Sequence, residues 1–119
     1  MSTHSLLGVK FPDGKITGCY VHYDGATMEP RIKDFISSYT TTSLVLLIAR
    51  AQGTGGMRAF HCPKWSNGSR CGDPETEFLD DDKPYVVDDH NWDEDHFGTS
   101  YRYLVEYETG TVEMRDRYA

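Results

Sequence analysis

Runs of strand-forming residues lie at both ends of the chain. Near the N-terminus, two such runs, at residues 5–11 and 15–24, flank a Pro-Asp-Gly turn at residues 12–14. Near the C-terminus, residues 101–108 and 111–117 alternate between apolar and polar side chains around a Thr-Gly pair. Alternating side chains point to opposite faces of a strand, and such glycine-containing pairs favour tight turns. The pattern therefore predicts a β-hairpin at each end of the chain.

A helical spacing of apolar residues follows the first hairpin. Ile32, Phe35, Ile36 and Tyr39 recur at the intervals that place side chains on one face of a helix. Thr27 precedes this run as a capping residue. We predict an amphipathic helix that packs its apolar face on the sheet.

A second apolar run, residues 44–52, is short enough to fit a buried strand or a helix. Thr42 or Ser43 as a cap, Arg50 near the end and Gly53 just beyond favour the helix. Because this segment is apolar nearly all round, we expect it to occupy the centre of the core.

The middle of the chain carries few regular patterns. The glycine-rich residues 52–57 indicate a flexible turn, because a phosphate-binding loop would be followed by Lys-Ser/Thr and a helix, whereas a strand-like run at residues 57–60 comes next. Residues 61–97 are punctuated by proline and glycine and contain one strand-like piece, residues 85–87. We interpret residues 61–97 as an irregular acidic insertion.

The predicted fold is a single α+β domain covering residues 1–119. It consists of an antiparallel sheet, built from the N-terminal and the C-terminal hairpin, with two helices packed on one face and a long acidic loop region.

Charge is concentrated in one part of the chain. The 119 residues have a formal net charge of −7, and residues 73–95 hold eleven acids against one base, Lys83. Direct nucleic-acid binding is therefore disfavoured, since the phosphate backbone requires a basic face. No apolar run approaches the roughly 18 residues that span a bilayer, and the N-terminus does not resemble a secretory signal, so we expect no membrane association. An odd number of cysteines, three, fits reduced thiols in a cytosol.

The acidic region predicts a binding surface. Aromatic residues lie among the acids, so the region has the composition of a negative surface that docks on a basic groove. The residues that we assign to this surface are Asp80, Asp81, Asp82, Asp88, Asp89, Trp92, Asp93, Glu94 and Asp95.

Tyr20, His22 and Asp24 form an alternative pocket, because they share one face of the second predicted strand. They are suited to proton transfer or to binding a small molecule such as a nucleotide, for which Arg31, Arg50 or Arg58 supplies positive charge. The structural alternative is that Asp24 begins a turn while Tyr20 and His22 make hydrogen bonds. The sequence assigns no catalytic residue and no cofactor.

His61, Cys62, Cys71 and His90 are residue types that bind zinc. Their spacing is unlike that of structural zinc sites, in which paired ligands are separated by roughly two to four residues. We therefore predict no metal site and retain these four residues as the weaker alternative.

The N-terminal hairpin, with Gly8-Val-x-Phe-Pro-Asp-Gly followed by Gly18-Cys-Tyr-Val-His22-Tyr-Asp24-Gly25, resembles that of a family of small, mostly uncharacterised phage-encoded proteins. Those chains carry a Tyr-x-His-Trp/Tyr-Asp-Gly signature in a hairpin that precedes a helix. The resemblance covers roughly the first sixty residues and, more weakly, the terminal strands, but not the acidic stretch between them. It implies a phage accessory protein made in the host cytoplasm.

Together, the resemblance and the acidic surface predict a phage accessory protein that modulates or inhibits a host protein of defence or nucleic-acid handling. The alternatives are a nucleotide-binding protein or enzyme centred on Tyr20, His22 and Asp24, and a minor virion component. The oligomeric state is left open.

Overall fold

The computed structural model describes residues 4–22, 28–60, 77–80, 83–93 and 99–116. In chain order its elements are β1 (Ser5–Lys10), β2 (Ile16–Val21), α1 (Met28–Ser38), α2 (Thr41–Gly53), β3 (Met57–Ala59), β4 (Glu77–Phe78), β5 (Val87–Asp88), β6 (Tyr101–Glu106) and β7 (Val112–Asp116).

The strands form one sheet in the order β4-β3-β2-β1-β6-β7, with β5 beside β2. The two predicted hairpins are confirmed as the antiparallel pairs β1–β2 and β6–β7. The first strands of the two hairpins lie side by side and run in the same direction, so β1 and β6 pair in parallel. β2 and β3 also pair in parallel. The α+β class is confirmed, and the sheet is mixed rather than antiparallel throughout.

α1 presents the predicted apolar face to the sheet. Ile32 and Phe35 are buried, and Ile36 and Tyr39 pack against the same core. Thr27, the predicted cap, lies outside the described residues.

α2 confirms the preference for a helix but corrects its cap and its position. The cap is Thr40, whose side-chain oxygen accepts a hydrogen bond from the Ser43 backbone N–H at 3.0 Å. Leu44 and Ile48 are buried, whereas Leu46 is 66% exposed. The helix therefore lies on one face of the sheet with its outer side in solvent, and the expectation of a central helix was wrong.

The glycine-rich segment after α2 is a turn, as predicted. Gly56 has a φ of 136°, and a Cβ atom there would lie 2.6 Å from the Tyr20 carbonyl oxygen. Glycine is required at this position both by the positive φ and by the close approach to β2.

The two faces of the sheet are covered differently. The face under the helices, which we call the helix face, contributes alternate residues of β1, β2 and β6 to the main core: Leu7, Val9, Cys19, Val21, Tyr103 and Val105. The opposite face, which we call the tryptophan face, holds a smaller buried cluster: Leu6, Tyr20, Val87 and Trp92.

Candidate functional site

Trp92 is seated on two glycines in the middle of the tryptophan face. Gly8 and Gly18 lie directly opposite each other in the β1–β2 pair. A Cβ atom at Gly8 would lie 2.7 Å from the Trp92 ring carbon Cζ3, and one at Gly18 would lie 3.2 Å from the same carbon. Any other residue would therefore push the ring away from the sheet. With both side chains absent, the indole packs on the backbone and is only 6% exposed.

The segment that carries Trp92 is attached to the sheet and to the end of α2 by backbone contacts. Val87 pairs with Gly18 in the short antiparallel contact between β5 and β2. Upstream of β5, the Tyr85 backbone N–H donates to the Gln52 carbonyl oxygen at 2.9 Å. The described residues 83–93 of the predicted irregular insertion thus form a strand and a turn that pack on the domain.

A tight turn at residues 88–91 then places the Trp92 ring over Gly8 and Gly18. The Asp88 carboxylate accepts hydrogen bonds from the backbone N–H groups of His90 and Asn91, at 2.9 and 3.2 Å. The Asn91 side-chain oxygen accepts from the Asp88 backbone N–H at 2.7 Å. These local bonds are the kind by which Asp and Asn stabilise turns.

An open cleft of about 280 Å³ lies beside Trp92. Its lining comes from four strands and from the end of the turn: Lys10, Ile16, Trp92, Asp93, Arg102, Leu104, Glu113 and Arg115. Among the described residues of this lining, three side chains are cationic and two are anionic, an excess of positive charge in a chain whose net charge is −7.

Two arginines dominate the electrostatics of this cleft. Arg102 and Arg115 are direct cross-strand partners in the β6–β7 hairpin. Like charges in such a position repel each other and are stabilised by an anion placed between them. The Asp93 carboxylate is one such anion, because it accepts a hydrogen bond from Arg115. That bond lowers the pKa of Asp93, and the charges of Arg115 and Arg102 lower it further.

The sequence did not identify this cleft. Its arginines occupy positions of a terminal hairpin where charged residues ordinarily face solvent. The available signal was the pair of mid-strand glycines, since glycine inside a strand marks a close approach of another group. All three arginines that we associated with a phosphate lie outside the cleft lining. Arg50 stacks over the Phe78 ring at 4.5 Å, Arg31 donates to the Phe60 carbonyl oxygen at 3.3 Å, and Arg58 is exposed on β3.

Tyr20 and His22, two residues of the alternative pocket, are in contact, and His4 joins them. The Tyr20 hydroxyl lies 2.8 Å from His22 Nδ1 and 3.0 Å from His4 Nδ1. His4 Nδ1 is also 2.8 Å from the His22 carbonyl oxygen, to which it must donate. The Tyr20 hydroxyl can therefore accept from His4, and its contact with His22 Nδ1 is compatible with a neutral His22 protonated on either ring nitrogen. Asp24 lies outside the described residues.

Burial shifts the pKa values of His22 and Tyr20 in opposite directions. It lowers the pKa of His22, and the neighbouring His4 and Arg58 lower it further. Burial also raises the pKa of Tyr20 to about 12. Both effects favour the neutral forms of Tyr20 and His22 near pH 7. His4 was not predicted, because the pairing of β1 with β2 brings it to a neighbour that is distant in sequence.

The predicted acidic surface is divided by the structure. Asp80, Asp89 and Asp93 are exposed. Asp88 is partly buried and holds the turn. The assignment of Trp92 to this surface was wrong, because its ring is buried against its own sheet and is not exposed to a partner. Four other members lie outside the described residues: Asp81, Asp82, Glu94 and Asp95. Docking through the acids stays a prediction.

The weaker alternative of a zinc site has one described member. His90 is exposed, and its Nε2 atom lies 3.7 Å from an Asp89 carboxylate oxygen. His61, Cys62 and Cys71 lie outside the described residues. Within the described part of the chain, no three His, Cys, Asp or Glu side chains are grouped so that they would hold a metal ion. Cys19 is buried in the main core, and burial raises the pKa of its thiol, which makes it a poor nucleophile.

Comparisons with protein-family models, with curated proteins and with solved structures gave no significant match. The resemblance to phage-encoded proteins therefore stays a prediction. None of the helices in the described ranges is both long enough and apolar enough to cross a membrane.

Proposed function

We propose that this protein binds a small organic oxyanion, a phosphate ester or a carboxylate, in the cleft beside Trp92. The observation that carries the proposal is the direct opposition of Arg102 and Arg115 across β6–β7 at the wall of a cleft. Guanidinium groups bind carboxylates and phosphates through two parallel hydrogen bonds, so an arginine pair is well suited to such a group. Lys10 adds a third cation to the same lining.

The remaining walls favour an organic ligand over a bare inorganic anion. Ile16, Leu104 and the edge of Trp92 form the apolar part of the lining. A ligand with a charged group and an apolar body satisfies both kinds of wall, which is the usual composition of small-molecule sites. At about 280 Å³, the cleft is close to the lower end of the roughly 300–1,000 Å³ found for such sites, so the ligand is small.

Isothermal titration calorimetry with three probes tests this proposal: adenosine monophosphate, succinate and inorganic phosphate. We expect saturable one-to-one binding of at least one organic probe, tighter than that of inorganic phosphate. Because the cleft is open to solvent, the affinity should fall as salt is raised. Absence of saturable binding by both organic probes at low salt would contradict the proposal.

Two substitutions in the cleft locate the binding site. Arg102→Gln and Lys10→Gln each remove one cation and should weaken binding roughly tenfold or more, since hydrogen bonds to charged groups are the strong ones. Lys33→Gln is the matched control, because Lys33 lies on α1 and pairs with Glu29. Equal loss of affinity in all three variants would mean that net charge, and not the cleft, determines binding.

A second candidate function is the docking of the acidic region on a basic host protein, by an accessory protein of the phage type. The observation that favours it is Val86, which is 51% exposed in the same region as the exposed acids Asp80 and Asp89. Exposed acids and an exposed apolar side chain together suit a protein contact, because complementary charge speeds the encounter and burial of the apolar group stabilises the complex.

A pull-down from host lysate at low and high salt tests this second candidate. The informative variant is Asp80→Asn/Asp89→Asn, which spares the turn carboxylate of Asp88 and the Arg115 partner Asp93. The matched control is Glu106→Gln/Glu108→Gln, two exposed acids at the turn of the C-terminal hairpin. A basic partner that is lost with the first variant and kept with the second would support docking. A partner kept by both variants would exclude this surface.

A further inference from the structure

β7 is an edge strand with exposed side chains. In the strand order it is the terminal strand after β6, and no other described strand pairs with it. Glu113, Met114 and Arg115 are exposed, and Met114 is 42% exposed although it is apolar. An edge of this kind is a template for pairing with another strand.

The hydrogen-bond pattern of the hairpin shows which backbone groups of β7 face outward. The Glu106 N–H donates to the Thr111 carbonyl oxygen at 2.9 Å, and the Gly110 N–H, at a φ of 73°, donates to the Glu106 carbonyl oxygen at 2.8 Å. This is the pattern of a glycine bulge that closes a hairpin. Because hydrogen-bonded and non-bonded pairs alternate along an antiparallel ladder, Glu113 and Arg115 bond to β6. The N–H and C=O groups of Val112, Met114 and Asp116 therefore point away from β6.

The three central residues of β7, Glu113-Met114-Arg115, are complementary to themselves in the antiparallel direction. If two copies pair about a twofold axis at Met114, Met114 faces Met114 of the partner subunit. Glu113 then faces Arg115 of the partner subunit, and the same pair recurs on the other side of the axis. This register also aligns outward-facing backbone groups with outward-facing groups, so that Met114 and its counterpart exchange both hydrogen bonds.

We infer that two copies of this chain associate through antiparallel pairing of their β7 strands, with the twofold axis at Met114. The contact is isologous, which is the commonest geometry of homodimers. Charges on an edge strand usually prevent pairing, but here the order of the charges makes self-pairing attractive. Opposite charges at directly facing positions stabilise such a pair, and like charges destabilise it.

The dimer would place two clefts next to each other. Glu113 and Arg115 both line the cleft and both lie on the tryptophan face. Pairing of Glu113 with Arg115 of the partner subunit would partly neutralise one acid and one arginine of each cleft lining and would leave Arg102 and Lys10 as its other cations. Dimerisation through β7 does not require ligand binding, and it can be measured on the protein alone.

Sedimentation velocity over a hundredfold range of protein concentration tests the inference at low salt. One strand pair is a small interface, so we expect a concentration-dependent equilibrium between monomer and dimer. Wild-type protein that remains monomeric at the highest concentration would overturn the inference.

A charge swap identifies the interface. Glu113→Arg and Arg115→Glu each place like charges opposite each other, and each should abolish the dimer. The double variant Glu113→Arg/Arg115→Glu restores opposite charges and should dimerise again. Circular dichroism confirms that each variant is folded. Glu113→Arg is the cleaner single variant, because it leaves the hydrogen bond from Arg115 to Asp93 in place. Dimers that persist in both single variants, or that fail to return in a folded double variant, would overturn the proposed interface.

Discussion

The two faces of the sheet are stabilised by different means. The helix face is covered by two amphipathic helices and forms a continuous apolar core. The tryptophan face is covered by residues 83–93, and among the described residues its buried cluster has four members, of which one is an indole. The first depends on the sum of many apolar contacts, whereas the second depends on one ring and on two glycines that leave space for it.

This difference explains where the candidate site lies. A face fully covered by helices leaves no space for a ligand, because its side chains interdigitate to the density of a crystal. In the part of the chain that the structure describes, a short strand and a turn cover the tryptophan face, and the ends of several strands lie open beside them. On the tryptophan face this opening is the cleft with its arginine pair. The cleft therefore depends on the position of the Trp92 ring, which forms one of its walls.

The largest expected effect comes from the helix face. Ile48→Ala removes a fully buried side chain from the main core and should lower the free energy of unfolding by about 2–5 kcal/mol. Leu46→Ala is the matched control on the same helix, since Leu46 is exposed, and we expect a change within about 0.5 kcal/mol. Urea denaturation measures both variants. Similar losses in the two would contradict the assignment of the faces of α2.

A smaller loss of stability is expected when one of the glycines beneath Trp92 is replaced. Gly8→Ala places a methyl group where the indole lies and should cost about 1–3 kcal/mol by overpacking. Gly53→Ala is the matched control at the end of α2, because a Cβ atom on Gly53 would have no other atom within 4 Å. That substitution should be neutral or stabilising. Urea denaturation measures both variants, and equal stability of the Gly8 variant and wild type would show that the ring does not rest on Gly8.

Removing one local side-chain hydrogen bond on each face compares the stability of the two faces directly. Thr40→Ala removes the cap of α2 and should cost about 1 kcal/mol in global stability. Asn91→Ala removes the side chain that closes the turn before Trp92. We expect it to loosen the indole, seen as increased quenching of its fluorescence, with a smaller loss of global stability. A larger global loss for Asn91→Ala than for Thr40→Ala would reverse this ranking of the two faces.

The smallest effect is a dependence on pH at the end of the tryptophan face. The pKa of His22 is lowered by burial and by the charges of His4 and Arg58, so the unfolded chain binds a proton at a higher pH than the folded one. This contribution to stability is fully present above the ordinary histidine pKa, about 6.5, and is lost as the pH falls through the lower pKa of the folded state.

Denaturation of wild type and of His22→Gln between pH 7.5 and 5 isolates this contribution. Wild type should lose more stability than the variant as the medium is acidified. Parallel pH dependence in the two proteins would show that His22 has no such role.

The features that could be predicted are the local ones. Hairpins and α1 follow from the spacing of apolar residues in short windows, and both are confirmed. The parallel contact between β1 and β6 could not be predicted, because no local pattern specifies which strands become neighbours. The position of α2 was wrong for a related reason, since composition does not show that Leu46 faces solvent.

The candidate site was predictable only in part. Tyr20 and His22 were placed together correctly by the alternation of β2, whereas His4 reaches them through strand pairing. The glycines at positions 8 and 18 indicated a close approach, but nothing in the sequence identifies Trp92 as the group that approaches. Arg102 and Arg115 become a pair only through the register of the hairpin, and that register depends on the bulge at Gly110.

The central claim is that Trp92 is buried on Gly8 and Gly18 and forms one wall of the cleft. Its most direct test is the fluorescence of the Trp65→Phe variant, in which Trp92 is the only tryptophan. We predict blue-shifted emission that acrylamide quenches weakly, and a red shift with stronger quenching when Gly8→Ala is added. Emission from Trp92 at the wavelength of the urea-unfolded protein, unchanged by Gly8→Ala, would contradict this claim.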